Sequence, residues 1–219
     1  MNRLLGPCIV TLIILANGCG GEQKYVPTIT VSKTGPAIDA IAEFHNLSPV
    51  YALLSGKKTF GLDAPTVERV EPSELARQVE NEFLTKLDAA GVFSRVTRFD
   101  PHPDIILSGR IIALHEHYRP QSWAKIKDAV PYGGTIAQLL RLKTHVSTGE
   151  VHLTLVILKA TGEVLGTYTG QSSFKETFTP TKKAGPRPGT FLNRALSEAV
   201  HQIQDELSHD VELRKVAFS

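Results

Sequence analysis

Val151-His-Leu-Thr-Leu-Val-Ile-Leu158 followed by Thr161-Gly-Glu163 and Val164-Leu-Gly-Thr-Tyr-Thr-Gly170 decides the reading of the fold. Val151, Leu153, Leu155 and Ile157 alternate with less apolar neighbours, the period of a strand with one face buried. The Thr161-Gly162-Glu163 interval is a turn, so Val164–Gly170 returns as an antiparallel hairpin partner. Upstream, Asp104–Tyr118 reads as a long strand. Ile105, Leu107, Ile111 and Ala113 share one face, and Ile106, Ile112 and Leu114 load the other, which predicts a central strand covered on both sides.

Two helices flank these strands. Glu71-Pro72-Ser73-Glu74 has the proline and acids of a helix start, after which Leu75, Val79, Phe83, Leu84 and Leu87 recur at helical spacing. Gly91 ends that helix, and Val92–Val96 follows as a short strand. Phe191–Leu207 is the second helix, with Leu192, Ala195, Leu196, Ala199, Val200, Ile203 and Leu207 as its buried stripe. Thr179–Gly189, rich in Pro and Gly, is a loop, and the tail from Ser208, residues 210–219 above all, frays.

The expected class is therefore α+β: an antiparallel sheet of about four to five strands with two amphipathic helices on one face. The 119–148 stretch is an insertion, helical or hairpin, between the long strands. Its Ile136, Leu139, Leu140 and Leu142 are too apolar for disorder. They either close the sheet or, with Trp123 and Tyr132, meet a partner or membrane. Val50–Gly56 and Lys58–Leu62 read as strand material inside a domain spanning 50–209. Residues 19–49, punctuated by Pro27, Pro36 and Pro49 and with no helical stripe longer than Ala37–Leu47, read as tether and loop.

The first 18 residues stand apart. Arg3 supplies a positive start, Cys8–Ala16 an apolar run, and Ala16-Asn-Gly18 small residues, the order of an export signal cut after Gly18. The run is too short to span a bilayer, which takes about 20 apolar residues. Leu15-Ala-Asn-Gly-Cys19 resembles a bacterial lipobox. In that family the cysteine thiol takes a diacylglycerol, becomes the new N-terminus and carries further acyl chains such as palmitate. The resemblance implies lipid on Cys19 and, with Gly20 in second position, sorting to the outer membrane facing the periplasm. Ordinary cleavage after Gly18 would leave a free thiol there instead. Of the two cysteines Cys8 lies in the signal, so the mature chain keeps one unpaired sulfur in an oxidising compartment, a liability that thioether-linked lipid removes.

A formal net charge of +2 gives no electrostatic reason to expect nucleic-acid binding. Nucleotide loops, the Gly-x-Ser-x-Gly elbow, Cys-x-x-Cys and His-Glu-x-x-His are all missing from the sequence, so no catalytic residue and no cofactor is expected. The metal candidates are weak: His115 and His117, two apart on one strand face, with His152 as a third.

The series Leu87-Asp-Ala-Ala-Gly-Val-Phe-Ser-Arg-Val96, Asp104-Ile-Ile-Leu-Ser-Gly-Arg-Ile111, Thr161-Gly-Glu-Val164 and a closing helix resembles a group of envelope lipoproteins. They include auxiliary lipoproteins of ABC-type transporters, domains like the N-terminal domain of the Tol-system propeller protein, and curli-secretion-like lipoproteins. The resemblance implies a non-catalytic envelope module that docks a protein partner in a transport, secretion or envelope-maintenance complex. It carries over no functional residues and no oligomeric state. Two other functions stay open from the residues alone, a periplasmic small-molecule or lipid carrier and a metal-dependent enzyme built on the histidines.

Overall fold

The structure is a computed structural model that describes residues 25–33, 38–49, 72–121, 142–178 and 189–216. The described elements are β1 (Ile38–Pro49), α1 (Pro72–Ala90), β2 (Phe93–Thr97), β3 (Ile105–Pro120), β4 (His145–Lys159), β5 (Val164–Phe178), α2 (Thr190–His209) and α3 (Val211–Val216). The strands form one sheet in the order β2-β1-β3-β4-β5.

The sheet is mixed, which corrects the antiparallel expectation. β1 pairs in parallel with β2 on one side and β3 on the other, while β3, β4 and β5 form the antiparallel meander. The correction has a single origin: Ile38–Pro49, assigned above to tether and loop, is an inner strand of the sheet. Ile38, Ala40, Ala42 and Phe44 bury alternately before a register shift between Phe44 and Asn46 moves the buried position to Leu47. A strand placed before α1 makes β1-α1-β2 a crossover unit, whose strands must run parallel. The short link 98–104 then crosses β1 to reach β3. Asp104 clamps the crossing: its Oδ2 accepts Ile41 N–H at 2.7 Å and its own N–H donates to the Ile41 carbonyl at 3.0 Å.

Both long helices pack into one core on the same face of the sheet. On α1, Leu75, Val79, Phe83 and Leu87 lie four apart along one stripe and are buried, with the Phe83 ring 6.0 Å from that of Phe44. Gly91, at φ 71, ends the helix in a conformation that favours glycine. On α2 every residue of the expected stripe is buried. That helix approaches β5 so closely that a Cβ on Gly170 would lie 1.8 Å from the Ala199 carbonyl oxygen. The hairpin turn stands as read: Gly162 takes φ 90 and Lys159 N–H donates to the Glu163 carbonyl at 2.8 Å.

Other boundaries move. A register shift at Ile111/Ala113 turns Leu114 toward the core and Ala113 away from it. Cover on both faces of β3 is not what the described residues show, for Ile106, Ile112, His115 and His117 on the second face stay half exposed. Both ends of the 119–148 stretch belong to β3 and β4, so the insertion is shorter than expected. Trp123, Tyr132, Ile136, Leu139 and Leu140 lie outside the described residues, as do Gly18, Cys19 and Val50–Leu62. Within the tail, Val211–Val216 is not frayed but forms α3, whose Leu213 joins the core.

Candidate functional site at the N-terminal strap

Tyr25–Lys33 crosses the helical layer as an extended strap. Tyr25, Pro27 and Ile29 are buried while Val26, Thr28 and Thr30 face outward. The strap belongs to no strand, so side chains must satisfy its backbone. Asn193, Ser197 and His201 stand four apart on α2 and supply most of the partners. Asn193 Oδ1 accepts from the Tyr25 hydroxyl at 2.7 Å and from Thr28 N–H at 3.0 Å, and its Nδ2 donates to the Val26 carbonyl at 3.1 Å. Ser197 Oγ accepts Thr30 N–H at 2.9 Å, and Ser32 Oγ reaches His201 Nε2 at 3.4 Å. Four helical residues rise about 6 Å. Two extended residues advance about 6.6 Å. The near match lets a helix stripe serve an extended chain. From α1, Glu82 Oε1 accepts Ile29 N–H at 3.1 Å.

The strap begins beside the N-terminus of α2. Gly189 there takes φ 80, and a Cβ on it would lie 2.1 Å from the Tyr25 ring, so glycine is needed twice over. Burial pushes the Tyr25 hydroxyl well above its usual pKa, and the nearby Glu116 charge adds to the shift. Glu116 is fully buried and accepts the Ser147 hydroxyl at 2.6 Å.

Contacts continue from α2 to the end of the sheet. The Phe191 ring lies 6.1 Å from Phe174 and 5.8 Å from Phe178, and Phe178 lies 5.9 Å from His145. Arg194 sits over the Phe191 ring and pairs with Glu176 at 2.5 Å. The Tyr25 strap, the end of β5 and the start of β4 therefore share one end of the domain. Arg119, Lys143 and Lys175 are exposed at that end.

The histidines assemble less. The His115 and His117 rings are 5.3 Å apart, while His152 pairs across from Ala113 and Glu150 from His115. The His115 pKa is lowered by burial first and by His117 second, with Glu150 opposing. Among the described residues no group of three or more His, Cys, Asp or Glu is disposed to hold a metal. An open groove of about 610 Å³ beside the strap is lined by Thr30, Arg194, Ser197, Glu198, His201 and Gln202. The groove is open to solvent, unlike the concave sites that bury most of a small ligand's surface. Pro27 reads as loop punctuation in the sequence and hides the strap. The alternation of Tyr25, Pro27, Ile29 and Val31 was the available signal.

No protein-family model matches the chain, and no curated protein matches it in sequence. Solved structures of similar shape include a Xanthomonas campestris protein of family model DUF330, at TM-score 0.48 and 14% identity, over 85% of this chain and 92% of that one. An uncharacterized protein follows at 0.38 and 10%, over 83% and 97%. A candidate lipoprotein of Caulobacter crescentus gives 0.30 and 14%, over 51% and 70%. Likeness at these scores says nothing of what this chain binds.

Proposed function

We propose that the chain is a lipid-anchored cell-envelope protein, held through Cys19 at the outer membrane and facing the periplasm. Its α+β domain is a non-catalytic docking module for an envelope protein complex. The observation that carries the reading is the placement of Cys19. It follows an export-type segment and stands six residues before Tyr25, the first described buried side chain. A cysteine so placed is of use as an anchor and contributes nothing to a disulfide, since Cys8 lies within the signal.

Intact mass of the protein purified from native membranes tests the anchor. The mature chain should begin at Cys19 and carry the mass of an acylated glycerol, and Cys19→Ser should abolish both the added mass and membrane retention. An unmodified chain beginning at Cys19 would refute it. For the docking role, crosslinking in intact cells should yield one reproducible envelope partner, and its loss after exchange of the folded domain for an unrelated one would assign the contact to this domain.

A further inference from the structure

We infer that the sheet end formed by the close of β3, the start of β4 and the close of β5 is the membrane-facing end, seated on an anionic lipid surface. The inference rests on the proposed lipid at Cys19 and adds the orientation that the anchor imposes. Five residues, 20–24, separate Cys19 from the docked Tyr25. Six residue steps reach at most about 20 Å. β4 alone is 15 residues long, which is about 50 Å of strand. An anchor of that reach holds the domain by the end at which Tyr25 is fixed, and Tyr25 is fixed to the first turn of α2 through Asn193. From there Phe191 contacts Phe178, and Phe178 contacts His145, which leads to the sheet end.

The charge at that end suits anionic headgroups. Arg119, Lys143 and Lys175 are exposed there. Of the nearby carboxylates, Glu176 and Glu198 both face Arg194 and offset its charge, and Glu116 is buried. Toward the opposite end exposed Asp39, Asp104, Asp205 and Glu206 are mixed with exposed Arg95, Arg98, Arg214 and Lys215. A lipid leaflet carrying negative charge attracts the first end more than the second, where both signs are present. The half-buried rings of Phe174, Phe178 and Phe191 add apolar surface of the kind found at headgroup level. The hairpin turn at Thr161–Gly162 then points into the periplasm, with α3 and β2 on its side of the domain.

The test uses full-length lipidated protein in vesicles of phosphatidylcholine with phosphatidylglycerol and a headgroup-borne energy acceptor. A single donor is placed at Lys143→Cys or at Thr161→Cys; both positions are exposed, and lipid blocks Cys19. Transfer should be several-fold greater from position 143 than from position 161, and the contrast should shrink in phosphatidylcholine alone. Equal transfer from the two positions, or more from 161, overturns the orientation. A contrast indifferent to lipid charge overturns the electrostatic seat. The same samples are weighed by intact mass: lipid present with the wrong orientation sinks this inference alone, and lipid absent sinks the anchor reading along with it.

Discussion

Asn193→Ala is the substitution that tests whether residues 25–33 belong to the folded domain. Asn193 makes three hydrogen bonds to the strap, from the Tyr25 hydroxyl, from Thr28 N–H and to the Val26 carbonyl. An intramolecular hydrogen bond contributes about 0.5–1.5 kcal/mol net, and exposed ones lie near the bottom of that range. Only the Tyr25 bond is partly buried, so the loss should come to about 2–3 kcal/mol. That converts to roughly 30- to 150-fold at about 1.4 kcal/mol per decade. Amide hydrogen exchange reads it locally: protection at Thr28, Ile29 and Thr30 should fall by that factor, with α1 and β4 little changed. Urea unfolding should show a smaller shift, because the strap can detach without the sheet opening. Unchanged protection at all three amides would mean that the strap is held by something other than this ladder, and the short-anchor reasoning would lose its fixed point.

Packing and protonation give further expectations. Gly170→Ala should destabilise by about 2–3 kcal/mol or more, since the new methyl meets Ala199 backbone that cannot move alone. Gly162→Ala, with no heavy atom within 4 Å of the new methyl, should cost only the backbone strain of positive φ, about 1–2 kcal/mol; urea midpoints separate the two. Phe83→Ala, at a fully buried position, should cost about 3–5 kcal/mol by the same measurement. Asp210 is held below its usual pKa mainly by the Tyr168 hydroxyl, which donates to it at 2.6 Å. A depressed carboxyl contributes stability above its unfolded pKa and loses it as pH falls through the folded value. The stability gap between the parent and Tyr168→Phe should therefore be constant near neutrality and close below about pH 4.

What could be read from the sequence followed from undisturbed periodicity. The helix stripes from Leu75 and Leu192 run without a phase change and appear as helices at nearly the expected residues, and the alternation from Val151 to Ile157 lies inside β4, which begins six residues earlier at His145. β1 fails that condition. Its alternation from Ile38 to Phe44 is broken by an irregular register before Leu47, and Ile41 adds a helix-like spacing, so no single period dominates. Missing β1 also hid the parallel pairing, because the helix-linked crossover has no first strand without it. Leu114 departs from its expected face for a related reason, a bulge that no side-chain pattern announces. At the candidate site the hold on the strap was not legible, and Cys19 lies outside the described residues. A hydrogen-bonding stripe of Asn193, Ser197 and His201 looks in sequence like any solvated helix face.

The edges of the sheet limit how a partner can dock. An open edge strand invites another chain to pair with it. Here helix side chains cap part of each edge. On β5, Gln202 Oε1 accepts Gln171 N–H at 2.8 Å, its Nε2 donates to the Gln171 carbonyl at 3.0 Å, and Glu206 accepts Thr169 N–H at 3.3 Å. On β2, Asp88 Oδ1 accepts Val96 N–H at 2.9 Å. A partner adding a strand to β5 would first have to displace Gln202 from both polar groups of Gln171. Docking should accordingly use side-chain surfaces, and Gln202→Ala should leave partner capture unchanged while making the free protein more prone to self-association in sedimentation. Stronger capture of the partner by Gln202→Ala would mean that the partner pairs with β5 and that the side-chain cap regulates its access.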